Sequence, residues 1–131
     1  LQSELFTQIM RFGVVGAIGF VVDGGLLWFL ISLDISPYIA RALSFPVAVV
    51  VTWALNRNWT FVATSHAHPK GQFQCYFAVQ VVGALSNYGV YSLIILGFGV
   101  ASATVFWAFV AGSALGAVLN FCGARYVAFR A

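Results

Sequence analysis

Four long apolar runs fill almost the whole chain: residues 12–33, 39–55, 73–96 and 104–121. Each approaches the ~20 residues that an α-helix needs to cross the hydrocarbon core of a bilayer. Lipid offers no hydrogen bonds to the backbone, so runs of this kind must pair their own peptide groups and fold as helices. Short connectors and termini remain, too little for a soluble catalytic domain. The 62% hydrophobic content and mean hydropathy of +0.97 exceed what a water-soluble domain can hide. The expectation is an all-α membrane protein with four transmembrane helices, at about 12–33, 38–61, 73–96 and 104–125, in one domain spanning 1–131.

The net charge of +3 does not point to nucleic acid, because of where the charges fall. Arg11 precedes the first run, Arg57 and Lys70 lie between the second and third, and Arg125 and Arg130 follow the fourth. Only Arg41 falls on the other side. This is the positive-inside pattern, and it places both termini and the central loop in the cytoplasm. The first run is longer than the apolar part of a signal peptide and carries Asp23, so it reads as a retained helix. Cys75 and Cys122 fall near cytoplasmic helix ends and are expected as reduced thiols. His66 and His68 flank Ala67 in the central loop, but no nearby acidic group completes a ligand set, and no metal or other cofactor is expected.

The chain reads as two helical hairpins in parallel repeat. The second run ends in Arg57-Asn58-Trp59-Thr60-Phe61 and the fourth in Arg125-Tyr126-Val127-Ala128-Phe129, both with Arg four residues before Phe. Gly19 and Asp23 in the first run echo Gly83 and Asn87 in the third. Pro37 is suited to start the second helix, and Pro46 should kink it, lacking the N–H for a bond to residue 42.

Each helix carries one small or polar stripe at spacings of three and four, which share a helix face. The stripes are Gly16, Gly19 and Asp23; Arg41, Ser44, Ala48, Thr52 and Asn56; Gln80, Gly83, Asn87 and Tyr91; and Gly112, Gly116, Asn120 and Gly123. Close helix packing accounts for the glycines, while Asn and Gln can also bond across a contact. Asp23 is different, since a carboxylate near mid-bilayer costs about 2.5–3.5 kcal/mol to insert. Arg41 should lie roughly 10 Å above it at 1.5 Å rise per residue, leaving a direct pair and a water relay both open. At the inner boundary Arg57, Lys70 and Arg125 are candidates for binding phosphate, because guanidinium groups offer paired N–H donors. Trp59 and Tyr126 beside them suit the interface and could wall a sugar ring. No nucleotide-binding glycine loop, metal cluster, Ser/His/Asp set or carboxylate pair is present, so the chain is not expected to be an enzyme.

These residues resemble the GtrA-like family of small membrane proteins over essentially the whole chain. The resemblance rests on Arg11-Phe12-x-x-Val15-Gly16, Asp23, the Asn56-Arg57-Asn58-Trp59-Thr60-Phe61 segment, the Phe73 start of the third helix, and Asn120-Phe121 with Arg125. It implies a multi-pass protein of the bacterial inner (cytoplasmic) membrane that flips polyprenyl-phosphate-linked monosaccharides, such as undecaprenyl phosphate sugars, for cell-surface polysaccharide or O-antigen modification. A GtrB-type glycosyltransferase would load the sugar. In that reading Arg57, Lys70, Arg125, Asn56 and Trp59 hold the headgroup. Asp23, Arg41, Thr52, Gln80, Asn87 and Asn120 line the sugar path. Membrane lipid bathes the tail, and a dimer or larger homo-oligomer encloses the path. The alternatives are a membrane anchor that recruits a glycosyltransferase and a small proton-coupled exporter.

The charge asymmetry predicts opposite labelling of cysteines placed at His66 and Ser102 in a variant lacking Cys75 and Cys122. An impermeant thiol reagent added outside should reach position 102 and spare position 66. The reverse result would invert the orientation.

Overall fold

The computed structural model describes residues 2–64 and 68–130. Its described residues form four long helices, α1 (Gln2–Ser32), α2 (Pro37–Leu55), α3 (Pro69–Phe98) and α4 (Ser102–Gly123). α2 runs on into a π-helical turn at Asn56–Thr60, followed by a short 3-10 turn at Val62–Thr64. α4 runs on into a second π turn at Ala124–Ala128. Counting the π turns with their helices, all four segments are long and apolar enough to cross a membrane. α1 and α3 start before the apolar runs do, because polar residues such as Gln2, Glu4, Lys70 and Gln72 can continue a helix where lipid gives way to headgroups and water. Large apolar side chains such as Phe20, Trp28, Leu93 and Phe106 are exposed, as suits a protein whose solvent is hydrocarbon.

Local chemistry sets the helix boundaries. α1 closes in a Schellman arrangement: the Asp34 N–H donates to the Ile31 carbonyl at 3.0 Å and the Ile35 N–H to the Leu30 carbonyl at 3.2 Å. Asp34 supplies the left-handed residue, with φ of 62°. The Ser36 hydroxyl then accepts from the Tyr38 N–H, and Pro37 begins α2 as expected. α3 starts the same way, with His68 Nδ1 accepting from the Lys70 N–H at 3.3 Å ahead of Pro69. Gly99 ends α3 at φ 91° and ψ −171°, a conformation open essentially to glycine alone. Pro46 lies inside α2, which continues past it.

The chain divides into two compact units, residues 1–67 and 68–130 apart from the last residue. In the first, α1 packs against α2, and contact residues rise along α1 as they fall along α2. The Phe12 ring meets Phe61 at 6.3 Å, Gly19 faces Thr52, and Asp23 pairs with Arg41. In the second, α3 packs against α4 in the same register: Tyr76 meets Phe129 at 5.7 Å edge-on, Gly83 faces Asn120, and Asn87 lies on Gly112. Gln8 and Gln72 occupy matching buried positions, as do Ala40 and Ala108.

Several glycines lie in close contact with the facing helix. A Cβ at Gly112 would lie 2.5 Å from the Asn87 carbonyl oxygen, and one at Gly19 would lie 2.4 Å from a Thr52 methyl. Gly16 faces open space despite sharing a stripe with Gly19. Gly112→Ala is therefore expected to destabilise the protein by about 1–3 kcal/mol through overpacking against backbone. Gly16→Ala should be neutral or stabilising by up to ~1 kcal/mol, from helix propensity. Thermal unfolding of the two variants in detergent checks the difference; equal midpoints would remove the packing role of Gly112.

Candidate functional site

The π turns are the local device that shapes both helix ends. Asn56 and Ala124 each share one N–H between two carbonyls of the preceding turn, Thr52 with Trp53 and Asn120 with Phe121. Their own carbonyls then accept across five residues, from the Phe61 N–H at 2.8 Å and the Phe129 N–H at 2.7 Å. The wider turn keeps every one of these groups bonded while turning Phe61 and Phe129 inward, where each is 1% exposed. The same inside–outside order runs through both segments. Asn56 and Ala124 are buried, Arg57 and Arg125 half-buried, Trp59 and Val127 exposed, and Thr60 and Ala128 buried.

Around the first π turn, two guanidinium groups stack on two indoles. Arg57 lies 5.9 Å from the centre of the Trp53 ring, and Arg11 lies 5.2 Å from that of Trp59. Arg11 Nη1 also donates to the Trp59 carbonyl at 3.0 Å, tying α1 to the turn. In the second unit Arg125 lies 5.3 Å over the ring of its neighbour Tyr126. Lys70 projects from the exposed start of α3. Asn56, expected at the headgroup, is fully buried, so its side chain belongs to the packing beneath the turn. His68 caps α3, while His66 falls outside the described residues. Both cysteines are free thiols.

Within the spans, Arg41 Nη1 donates directly to Asp23 Oδ2. The long arginine side chain closes the gap in helix position, so of the two arrangements left open by spacing alone the direct pair is the one formed. The Arg41 guanidinium also lies 5.8 Å over the Phe45 ring. The side chain of Asp23 is 19% exposed and that of Arg41 53%, so the carboxylate is the enclosed partner. Asp23 Oδ1 is buried and has no hydrogen-bond partner among the described residues. Thr52 donates to the Val49 carbonyl at 3.1 Å and packs its methyl on Gly19. Asn87 and Asn120 lie against glycines of the facing helix, and Asn120 Oδ1 is buried without a hydrogen-bond partner among the described residues. Gln80 is half-buried on α3. Asp23, Arg41 and Thr52 thus belong to the first unit, and Gln80, Asn87 and Asn120 to the second.

Sequence reasoning used Arg11 for orientation and missed its place at the π turn. The available signal was its position one residue before Phe12, whose ring meets Phe61 directly after Trp59 and Thr60.

Four spanning helices make this a multi-pass membrane protein. Residues 11–129 match the family described as GtrA/DPMS, transmembrane domain, and the chain belongs to that family. It is also 28% identical over 120 residues to a dolichol-phosphate mannosyltransferase of Pyrococcus furiosus, a match covering 92% of this chain and 32% of the relative. The chain therefore spans about a third of the length of that transferase.

Breaking the ion pair leaves one charge without its partner, which costs about 3–5 kcal/mol for a fully enclosed pair and less where one member is open, as Arg41 is. Arg41→Gln is expected to lower stability in detergent by on the order of 2 kcal/mol, because it strands the enclosed carboxylate. Adding Asp23→Asn should restore much of that loss. Purely additive effects in the double-mutant cycle would show that the two charges do not support each other.

Proposed function

We propose that this chain carries a polyprenyl-phosphate-linked monosaccharide across the bacterial inner membrane, within cell-surface polysaccharide or O-antigen modification. The observation that supports this most is the pairing of guanidinium groups with indole rings at one end of the first unit. A lipid-linked sugar has a phosphate, a polar ring and a long apolar tail. Guanidinium groups recognise phosphate through paired donors, and aromatic faces stack on sugar rings. In this reading Arg57 and Trp59, with Lys70 and Arg125, meet the headgroup at the cytoplasmic face. The polar groups Asp23, Arg41, Thr52, Gln80, Asn87 and Asn120 replace water around the sugar hydroxyls, and the tail stays in lipid. Four helices enclose little on their own, so two or more copies would form the path. A GtrB-type glycosyltransferase would supply the loaded lipid, and the basic residues would face it from the cytoplasmic side. The family match and the name of the archaeal relative, a dolichol-phosphate sugar transferase, are in keeping with a lipid of this class.

A second reading, an anchor that holds a glycosyltransferase at the membrane, draws on a specific observation. The mannosyltransferase relative is about three times as long as the stretch it shares with this chain, which fits a membrane domain serving a transferase. The proton-coupled exporter is disfavoured because its acidic residue, Asp23, is engaged by Arg41.

Arg57→Lys separates the first two readings, because lysine keeps the charge but loses the planar fork. For a carrier, translocation of polyprenyl-phosphate sugar in reconstituted vesicles should fall about tenfold while the transferase still co-purifies at the wild-type level. For an anchor, vesicles holding the wild-type protein should show no translocation above protein-free vesicles.

A further inference from the structure

The two units repeat each other's geometry but not each other's charge. Positions related by 64 residues along α1 and α3 pair Arg11 with Cys75 and Asp23 with Asn87. Positions related by 68 residues along the α2 and α4 segments pair Arg41 with Phe109, Trp59 with Val127 and Arg57 with Arg125. Of the four charges in the first unit's contacts, only Arg57 has a charged counterpart. The fold does not require the others, since the second unit closes in the same register without them. Tyr76 meets Phe129 as Phe12 meets Phe61, and Phe129 bonds to Ala124 as Phe61 bonds to Asn56.

Arg11 stands out among these. One of its nitrogens is held by the Trp59 carbonyl and its plane lies over the Trp59 ring. It makes no other hydrogen bond among the described residues, and a guanidinium carries five N–H donors in a fixed fork. Among the described residues the group is therefore oriented by the turn yet retains most of its donors for another acceptor. The Trp59 ring beneath it is 39% exposed, so the stack is reachable from outside the unit. On the second π turn the matching positions carry a thiol and a valine, which can neither donate a fork nor stack.

From this asymmetry we infer that Arg11, oriented on Trp59 and acting with Arg57, is the principal phosphate ligand of the protein. The inference deepens the headgroup reading given above and rests on it. It adds Arg11 to the groups that meet the headgroup and gives Trp59 two tasks, to aim Arg11 and to offer a face to the sugar.

The test is binding of undecaprenyl phosphate to the full chain in phosphatidylcholine nanodiscs, with phosphatidylglycerol and inorganic phosphate as competitors. Wild-type protein, Arg11→Gln, Arg11→Lys, Arg125→Gln and the double variant Cys75→Arg with Val127→Trp are compared, with thermal midpoints as the folding check. Arg11→Gln should weaken binding at least tenfold, as expected for loss of a charge-assisted contact. Arg11→Lys should recover it only in part, and Arg125→Gln should lose less affinity than Arg11→Gln. Competition by inorganic phosphate would assign recognition to the phosphate itself, and competition by phosphatidylglycerol to any anionic headgroup; Arg11 remains the ligand in both cases if its variants lose affinity. Wild-type affinity in Arg11→Gln, or a larger loss in Arg125→Gln, overturns the assignment while leaving the headgroup reading intact. Absence of binding by the wild-type protein overturns both. Should Arg11→Gln fail to fold, Cys75→Arg combined with Val127→Trp decides: a gain in affinity supports a ring-oriented guanidinium at this place in the repeat as a ligand, and no change counts against it.

Discussion

Backbone hydrogen bonding in a medium without water governs everything else in this protein. A helix inside hydrocarbon can bend or widen, but it cannot open. The π turns after α2 and α4 follow from that restriction. Each redirects the chain by lengthening one hydrogen-bonded ring, from the Asn56 carbonyl to the Phe61 N–H and from the Ala124 carbonyl to the Phe129 N–H. The redirected residues are aromatic and meet Phe12 and Tyr76 on the neighbouring helix. Further along, the helices approach most closely at glycines, Gly19, Gly83, Gly112, Gly116 and Gly123, and bury the small Ala40 and Ala108. Packing rather than hydrophobic expulsion drives association between helices in lipid, so these close approaches do the holding.

The four spans were legible because their composition permits nothing else. Gly19 with Asp23, Gly83 with Asn87, and the Arg-to-Phe spacing of 57–61 and 125–129 pointed to matching contacts, and these residues do pack within their own units. The π turns were not legible, because nothing in a helical periodicity of 3.6 marks where one extra residue enters; the recurrence of the spacing marked the place without its form. Stripe membership overstated contact at Gly16, since a shared face does not say how far a neighbouring helix extends over it. Asn56 fell on the polar stripe but lies buried at the entry to the turn. The Asp23–Arg41 pair depended on side-chain reach, which rise per residue ignores. The contact of Arg11 was missed because its bond to the Trp59 carbonyl joins residues 48 apart in sequence.

Two units with one geometry and different charges divide the demands on a small membrane protein. The second unit meets its structural needs with Asn87 and Asn120 on glycine faces, groups that bond without carrying charge. The first adds Arg11, Asp23 and Arg41, which the shared contacts do not need. Charge inside a span is expensive unless it is paired or used. Asp23 is paired with Arg41, and Arg11 is set on the exposed Trp59 ring at the end of the second span.

The Asp23–Arg41 pair also sets conditions on how the chain enters the membrane. The two residues lie 18 apart in sequence, so at roughly 5–20 residues per second the ribosome delivers the arginine about one to four seconds after the carboxylate. During that interval α1 carries an unneutralised charge, and the partner that quiets it sits on a helix not yet made. Biogenesis of the first unit is thus cooperative across two helices. α1 gains its full fitness for lipid only when α2 arrives with the partner of Asp23.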